Sequence, residues 1–295
     1  MYDIAVLAAK RVYLLRRVLS AIDQTFGRDA RTHIWIDLHA NLPKLNRVVE
    51  TARTYADASP EHRRVVTFHR HIGTRAMWLS VLSMAIQTPL VVLEDDVVLR
   101  PDARQWWNFC IGRFENARLF GCSFTPQTTV ATLNSKVRII HYSTPFLYPL
   151  LSSHGFMISP KHARSFVDQL HTRNKTRLYI DSLITTRWFR EFERKGLTYE
   201  RMWTQEAVAY SYYKNVTTLF PPSDHPFAMH CSQDHASDHL TAKCLRPISY
   251  TPFVRTDAPL PELSWSAVCI KHCKRDSPRS ILTKHKVRRH ETRGA

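Results

Sequence analysis

Apolar residues recur along the first hundred positions in two alternating rhythms. An unbroken run over 4–8 (Ile4, Ala5, Val6, Leu7, Ala8) reads as a short buried strand. Leu14, Leu15, Val18, Leu19 and Ile22 then recur at helical spacing and predict a helix over 11–22. The alternation repeats. Residues 34–38 predict a second strand, 45–55 a helix and 65–68 a third strand. Gly73 and Thr74 open a helix running to Gln87, with Thr74 as its N-cap; Pro89 ends it, and 90–93 form a fourth strand. Strands that alternate with helices imply a largely parallel sheet covered on both faces.

Beyond Pro101 the pattern loosens. Helices are expected over 102–114, 159–170 and 181–195, a strand over 119–124 and a polar loop over 125–137. After Phe220 the chain is rich in Pro, His and Asp, with little periodicity and no internal repeat. The expected division is an α/β ligand-binding half over 1–125, a second half of the same domain over 126–225, a Cys/His-rich irregular extension over 226–280 and a basic tail over 281–295.

Composition adds charge to this picture. The 295 residues are 44% hydrophobic, enough for a sizeable core, and only 7 glycines exclude collagen-like or glycine-linker architectures. No apolar run approaches the roughly 20 residues that span a bilayer. Lys and Arg total 42 against 25 acids, a net +17, which suits an anionic partner such as nucleic acid or an acidic glycan. Of six cysteines, four (Cys231, Cys244, Cys269, Cys273) fall in the last quarter, which invites disulfides without requiring them. Sequons at Asn174 and Asn215 tilt the compartment towards a secretory lumen. If Met1 is the start, the expectation is cytoplasmic; if an anchor lies upstream, it is the Golgi or another lumen.

One segment carries chemistry. The apolar run 90–93 leads directly into Glu94-Asp95-Asp96 and resumes at Val97. Ligands of open parallel sheets sit beyond the carboxyl ends of strands, where these acids are placed. Adjacent carboxylates repel and raise one another's pKa unless a cation neutralises them, and hard oxygen donors favour Mg²⁺ or Mn²⁺. The alternative is an acidic surface turn between two strands. His230 lies in a late His/Asp-rich patch (Met229-His230-Cys231, Asp234-His235, Asp238-His239) and is a candidate further metal ligand; chance clustering among 16 histidines is its alternative. Trp78, Trp106 and Trp107 are expected in the core, and Tyr210, Tyr212 and Tyr213 divide between burial and stacking on a sugar. Arg70, His71 and Arg75 follow the third strand, near the expected ligand edge.

Glu94-Asp95-Asp96, after three strand–helix units, resembles the DxD element of GT-A glycosyltransferases, in the Glu-Asp-Asp form of the N-acetylglucosaminyltransferase I-like group. Val6 to Arg11 with Leu14 to Leu19 is similar to that group's first strand and Arg-Arg-containing helix. Ile34-Trp35-Ile36-Asp37 resembles its second strand, and Gly155 to Ser159 its glycine-bearing acceptor-side segment. Asp181, ahead of Trp188 and Lys195-Gly196, is similar to the helix that supplies the base. Two positions depart from the pattern: Lys10 stands where the group usually carries Asp, and Ser182-Leu183 replace an expected tryptophan.

The resemblance implies a GT-A, Rossmann-like, mostly parallel central sheet flanked by helices, with an irregular C-terminal acceptor-side region. It implies Asp96 on the metal, Asp95 on ribose or donor sugar, Glu94 in support, Arg11 on the nucleotide or its phosphates, and Asp37 on the uracil edge. Arg75 is a further donor-binding candidate. Asp181 becomes the general base, with a helix cap as its alternative. The function expected is a metal-dependent, inverting transfer from a nucleotide sugar, a UDP-sugar foremost, to a hydroxyl of a glycan, glycoprotein or other large acceptor. The competing expectation is a nucleic-acid-directed protein, either a DNA-base glucosyltransferase or a non-catalytic basic binding module.

Overall fold

A computed structural model describes residues 1–37, 42–127, 129–131, 137–139, 142–151, 155–172, 180, 184–196, 203–231 and 260–262. The first strand, β1 (Tyr2–Ala8), is followed by α1 (Val12–Phe26), β2 (Ala30–Ile36), α2 (Leu42–Asp57), β3 (Arg63–Thr67), α3 (Gly73–Leu82) and β4 (Leu90–Glu94). These four strands are mutually parallel and lie in the order β3-β2-β1-β4. The chain therefore builds outward from β1 in one direction and then crosses to its other side. The strand order reverses between β1 and β4, and open α/β sheets bind ligands in the crevice at such a point.

The later strands are shorter. They are β5 (Val97–Leu99), β6 (Leu119–Ser123), β7 (Thr129–Ala131), β8 (Val137–Ile139), β9 (Phe146–Tyr148), β10 (Phe156–Ile158), β11 (Thr217–Phe220) and β12 (Ala228–His230). Four extend the main sheet to the order β3-β2-β1-β4-β10-β6-β11-β9, with β10 antiparallel to β4 and β6, and β9 antiparallel to β11. The helices among them are α4 (Ala103–Ile111), α5 (Pro160–Thr172), α6 (Ile184–Arg194) and α7 (Trp203–Lys214). The expected polar loop over 125–137 instead contributes β7, which pairs antiparallel with β8. Three-residue strands are too short to show a period.

Side-chain alternation along β1 divides the core into two layers. Ile4, Val6 and Ala8 pack with α1, α2 and α4, whereas Ala5 and Leu7 pack with α3, α5 and α7. Trp106 and Trp107 are buried in the first layer; Trp78 stacks on Trp203 in the second at 4.1 Å between ring centroids. Trp78, Trp106 and Trp107 are thus core residues, as expected. Burying both faces of the sheet supplies the main driving force for this arrangement. Gly121 is demanded by it, since a Cβ there would stand 2.3 Å from the Met157 carbonyl oxygen of β10.

Among the described residues no helix is long and apolar enough to cross a membrane. The extension and tail expected over 226–295 lie outside the described residues except for 226–231 and 260–262. Cys231 is disulfide-bonded, whereas Cys110 and Cys122 are buried free thiols.

Candidate active site

The crevice between β1 and β4 brings together the loop after one strand and the turn after the other. Leu7 is in register with Glu94, and the Asp95 amide continues the ladder by donating to the Leu7 carbonyl at 2.9 Å. The apolar stretch 90–93 is wholly buried, so the chain delivers Asp95 and Asp96 into positions only 1% and 2% exposed. Two buried carboxylates this close are costly unless a cation meets them.

That cation is Arg11. It occupies the N-cap position of α1, one turn beyond the end of β1. Its Nε donates to Asp95 Oδ1 at 2.7 Å, and its terminal nitrogens form close ion pairs with both Asp95 and Asp96. The Ala9 amide adds a longer hydrogen bond to Asp95 Oδ2, at 3.3 Å. A planar guanidinium with a fixed fork of donors suits such a bridge. Burial alone would lower the Arg11 pKa, but the charges of Asp95 and Asp96 outweigh it and the net shift is upward. Burial raises the Asp95 pKa, and Asp96 adds to the rise; the opposing pull of Arg11 does not cancel them. Arg11 thus faces two buried carboxylates at contact distance, and half-buried Glu94 adds to the negative field on it.

A late segment closes over this turn. β5 pairs antiparallel with β12, which sets His230 opposite Val97, and the Cys231 amide donates to the Asp96 carbonyl at 2.7 Å. Buried Cys231 packs against Leu14 of α1. The late histidine singled out in the sequence is thereby brought, in backbone register, beside the acidic turn. Beneath it Gly155 adopts φ 75°, where a Cβ would meet Phe124, Val97 and Ala228 at 3.3–3.5 Å. The small residue and its left-handed backbone let β10 start directly under the turn.

Asp37 stands at the same sheet edge, just beyond β2, where its amide donates to the Ala8 carbonyl at 3.1 Å. Its carboxylate accepts the backbone N–H groups of Ile72 (2.9 Å) and Gly73 (3.1 Å), with the His71 ring at 2.8 Å. Asp37 therefore caps α3 from a neighbouring strand. This corrects the expectation for Thr74, because the helix already begins at Gly73 and carries no side-chain cap from its own N-cap residue.

Arg75, in the first turn of α3, turns its guanidinium into the helix layer. It is 6% exposed; its Nε and Nη2 each donate to Glu206 at 2.8 Å, and Nη2 also reaches the Leu170 carbonyl at 2.9 Å. Its guanidinium braces α3, α5 and α7 inside the helix layer. Tyr210 is also a core residue, 1% exposed and hydrogen-bonded to His162 at 3.0 Å, whereas Tyr213 is exposed. Asp181 lies outside the described residues.

Sequence reasoning missed one buried cluster near the site. Asp102 accepts from Arg100 at 3.2 Å and pairs with the His225 Nε2 at 2.6 Å, and the Arg100 amide donates to the Phe227 carbonyl at 2.9 Å. These contacts tie the segment leading into β12 to the end of β5. Residues 123 positions apart in the chain leave no local signal of such a pairing.

Among the described residues, no three His, Cys, Asp or Glu side chains converge as a preformed metal cage. Asp95 and Asp96 converge on Arg11. Mg²⁺-type ions are commonly held by one or two carboxylates plus the phosphates of a substrate, and a pair of buried hard-oxygen donors fits that pattern.

No protein-family model matches the chain, and no curated protein matches it. Among solved structures it is similar to a mannosyltransferase from Pyrobaculum calidifontis in complex with GDP-Man and Mn²⁺, at 12% identity and a TM-score of 0.42, over 74% of this chain and 54% of that one. It is also similar to GalNAc-T7 with UDP, GalNAc and Mn²⁺, at 12% identity and a TM-score of 0.45, over 76% of this chain and 43% of that one. The chain thus spans about half the length of the structures it matches, and likenesses this distant assign it no activity.

Proposed function

We propose that the chain is a metal-dependent, inverting glycosyltransferase of the GT-A type. In this reading it moves a sugar from a nucleotide sugar, a UDP-sugar foremost, to a hydroxyl of a glycan, glycoprotein or other large acceptor. The observation that carries the proposal is the buried Asp95–Asp96 pair at the point where strand order reverses, with a cation already drawn onto it. A structural turn has no need of two like charges inside the protein, whereas a cation-dependent diphosphate site does.

Asp96 would hold Mn²⁺ or Mg²⁺, with Glu94 in support and His230 as a further ligand; Asp95, which the resemblance sets on ribose or donor sugar, shares its burial and its Arg11 partner with Asp96 and in this reading faces the ion as well. The ion would supply charge stabilisation for the departing diphosphate. Asp37 marks the base-binding side of the same edge, where its carboxylate also fixes the N-terminus of α3. Asp181, three positions before α6, is the base of this reading and takes the proton of the acceptor hydroxyl. Exposed Tyr213 and the surplus of basic residues suit a sugar-rich, acidic acceptor.

The test is equilibrium binding of UDP with Mn²⁺, with EDTA, and in Asp96→Asn. The wild-type protein should bind UDP only with the metal, and the variant should lose that dependence while keeping its circular dichroism. UDP affinity indifferent to both EDTA and the substitution would overturn the reading.

A further inference from the structure

Arg11 raises a question that a metal site alone does not answer. A guanidinium already sits on the two carboxylates that the proposed function assigns to a divalent cation. Arg11 holds one oxygen of each carboxylate, with Asp95 Oδ1 accepting from its Nε at 2.7 Å and Asp96 Oδ2 paired with its Nη1, so a metal ion on the same two groups would stand close against the guanidinium. Two cations on one carboxylate pair at contact distance repel strongly in a partly buried setting. Simultaneous occupation is therefore disfavoured.

We propose that Arg11 is an internal counter-ion that competes with the metal, so that metal and diphosphate binding are coupled through its side chain. The proposal rests on the metal-dependent reading above. With no metal bound, Arg11 holds Asp95 and Asp96 together and offsets the cost of burying them. Once a divalent cation takes the carboxylates, Arg11 loses its partners while standing at the N-terminal end of α1. That helix has no acidic residue in its first turn and no side-chain cap from Arg11. A cation at a helix N-terminus is electrostatically unfavourable, so the displaced guanidinium seeks another anion. A diphosphate arriving with the metal would supply such an anion to a side chain that is already one-third exposed. The displaced Arg11 thus rewards joint binding: metal alone has to expel a bound guanidinium, whereas metal with diphosphate gives that guanidinium a new partner.

The experiment measures Mn²⁺ binding by the spin-resonance signal of the free ion, with and without inorganic pyrophosphate. It compares the wild-type chain over residues 1–295, Arg11→Met and Arg11→Lys. Arg11→Met should bind Mn²⁺ alone more tightly than wild type, within the span of about 5- to 150-fold usual for coupled sites. Pyrophosphate should tighten Mn²⁺ binding in wild type and do so much less in Arg11→Met. Arg11→Lys keeps the charge without the fork and should fall between the two.

Equal Mn²⁺ affinity in wild type and Arg11→Met would overturn the competition and leave the metal reading standing. Loss of Mn²⁺ binding in a folded Arg11→Met would also overturn it, because Arg11 would then organise the carboxylates for the metal. Absence of Mn²⁺ binding in every protein, with or without pyrophosphate, would overturn both readings together. If Arg11→Met does not fold, the comparison of wild type with Arg11→Lys decides by the same criteria.

Discussion

Two of the arginine–carboxylate clusters in this molecule, those of Arg75 and of Arg11, differ in how open they are to solvent. Arg75 meets Glu206 through two hydrogen bonds, both residues 6% exposed or less, with a further hydrogen bond to a helix carbonyl. Arg11 meets two carboxylates, remains one-third exposed, and sits where the strand order of the sheet reverses. A pair closed off from solvent holds helices together. A guanidinium that stays partly exposed on two buried carboxylates can be exchanged for another cation without opening the core. Access, more than burial, distinguishes the two clusters.

The largest expected effect breaks the brace. Glu206→Ala leaves Arg75 buried without its carboxylate and should cost about 3–5 kcal/mol in urea unfolding. Asp96→Asn should change stability by no more than about 1 kcal/mol, since the amide oxygen still accepts from Arg11 and one like-charge repulsion is removed. A reversed ranking, with the acidic turn the more sensitive, would make that turn the structural element.

A smaller effect sharpens the contrast through pH. Burial holds His162, bonded to Tyr210 and the Ala117 carbonyl, below the ordinary imidazole pKa of 6.5, and burial does the same for His33. With a native pKa below the unfolded one, the folded protein binds fewer protons between the two values. Stability therefore rises with pH through that window and is lost as pH falls below about 6.5. The melting temperature should drop between about pH 6.5 and pH 5, and His162→Gln should flatten part of the drop. An unchanged slope in the variant would remove His162 as a cause.

How much of this was legible in the chain follows the length of its apolar runs. β1 to β4 and their helices were readable because each is long enough to display a period, and the acidic turn because it interrupts one of those runs. β9, β10 and β12 have three residues each, and their place in a sheet comes from partners far along the chain. The partner of Arg75 is illegible for the same reason. Its position after β3 suggests the ligand edge, and the carboxylate that pairs with it lies 131 positions on. Asp37 was legible as an edge residue, but its capping of α3 depends on how the third helix folds back across β2. Arg11 was legible as a basic residue at the right turn; that it would sit on the carboxylates themselves required both strands in register.

The central claim is that Asp95 and Asp96 form the cation site of a nucleotide-sugar enzyme. Anomalous diffraction from crystals grown with Mn²⁺ and UDP tests it most directly. The account predicts a manganese peak within coordination distance of both carboxylates, with the Arg11 guanidinium moved from them towards the diphosphate. Arg11 still bridging Asp95 and Asp96 at saturating Mn²⁺ and UDP, with manganese elsewhere or absent, would contradict it.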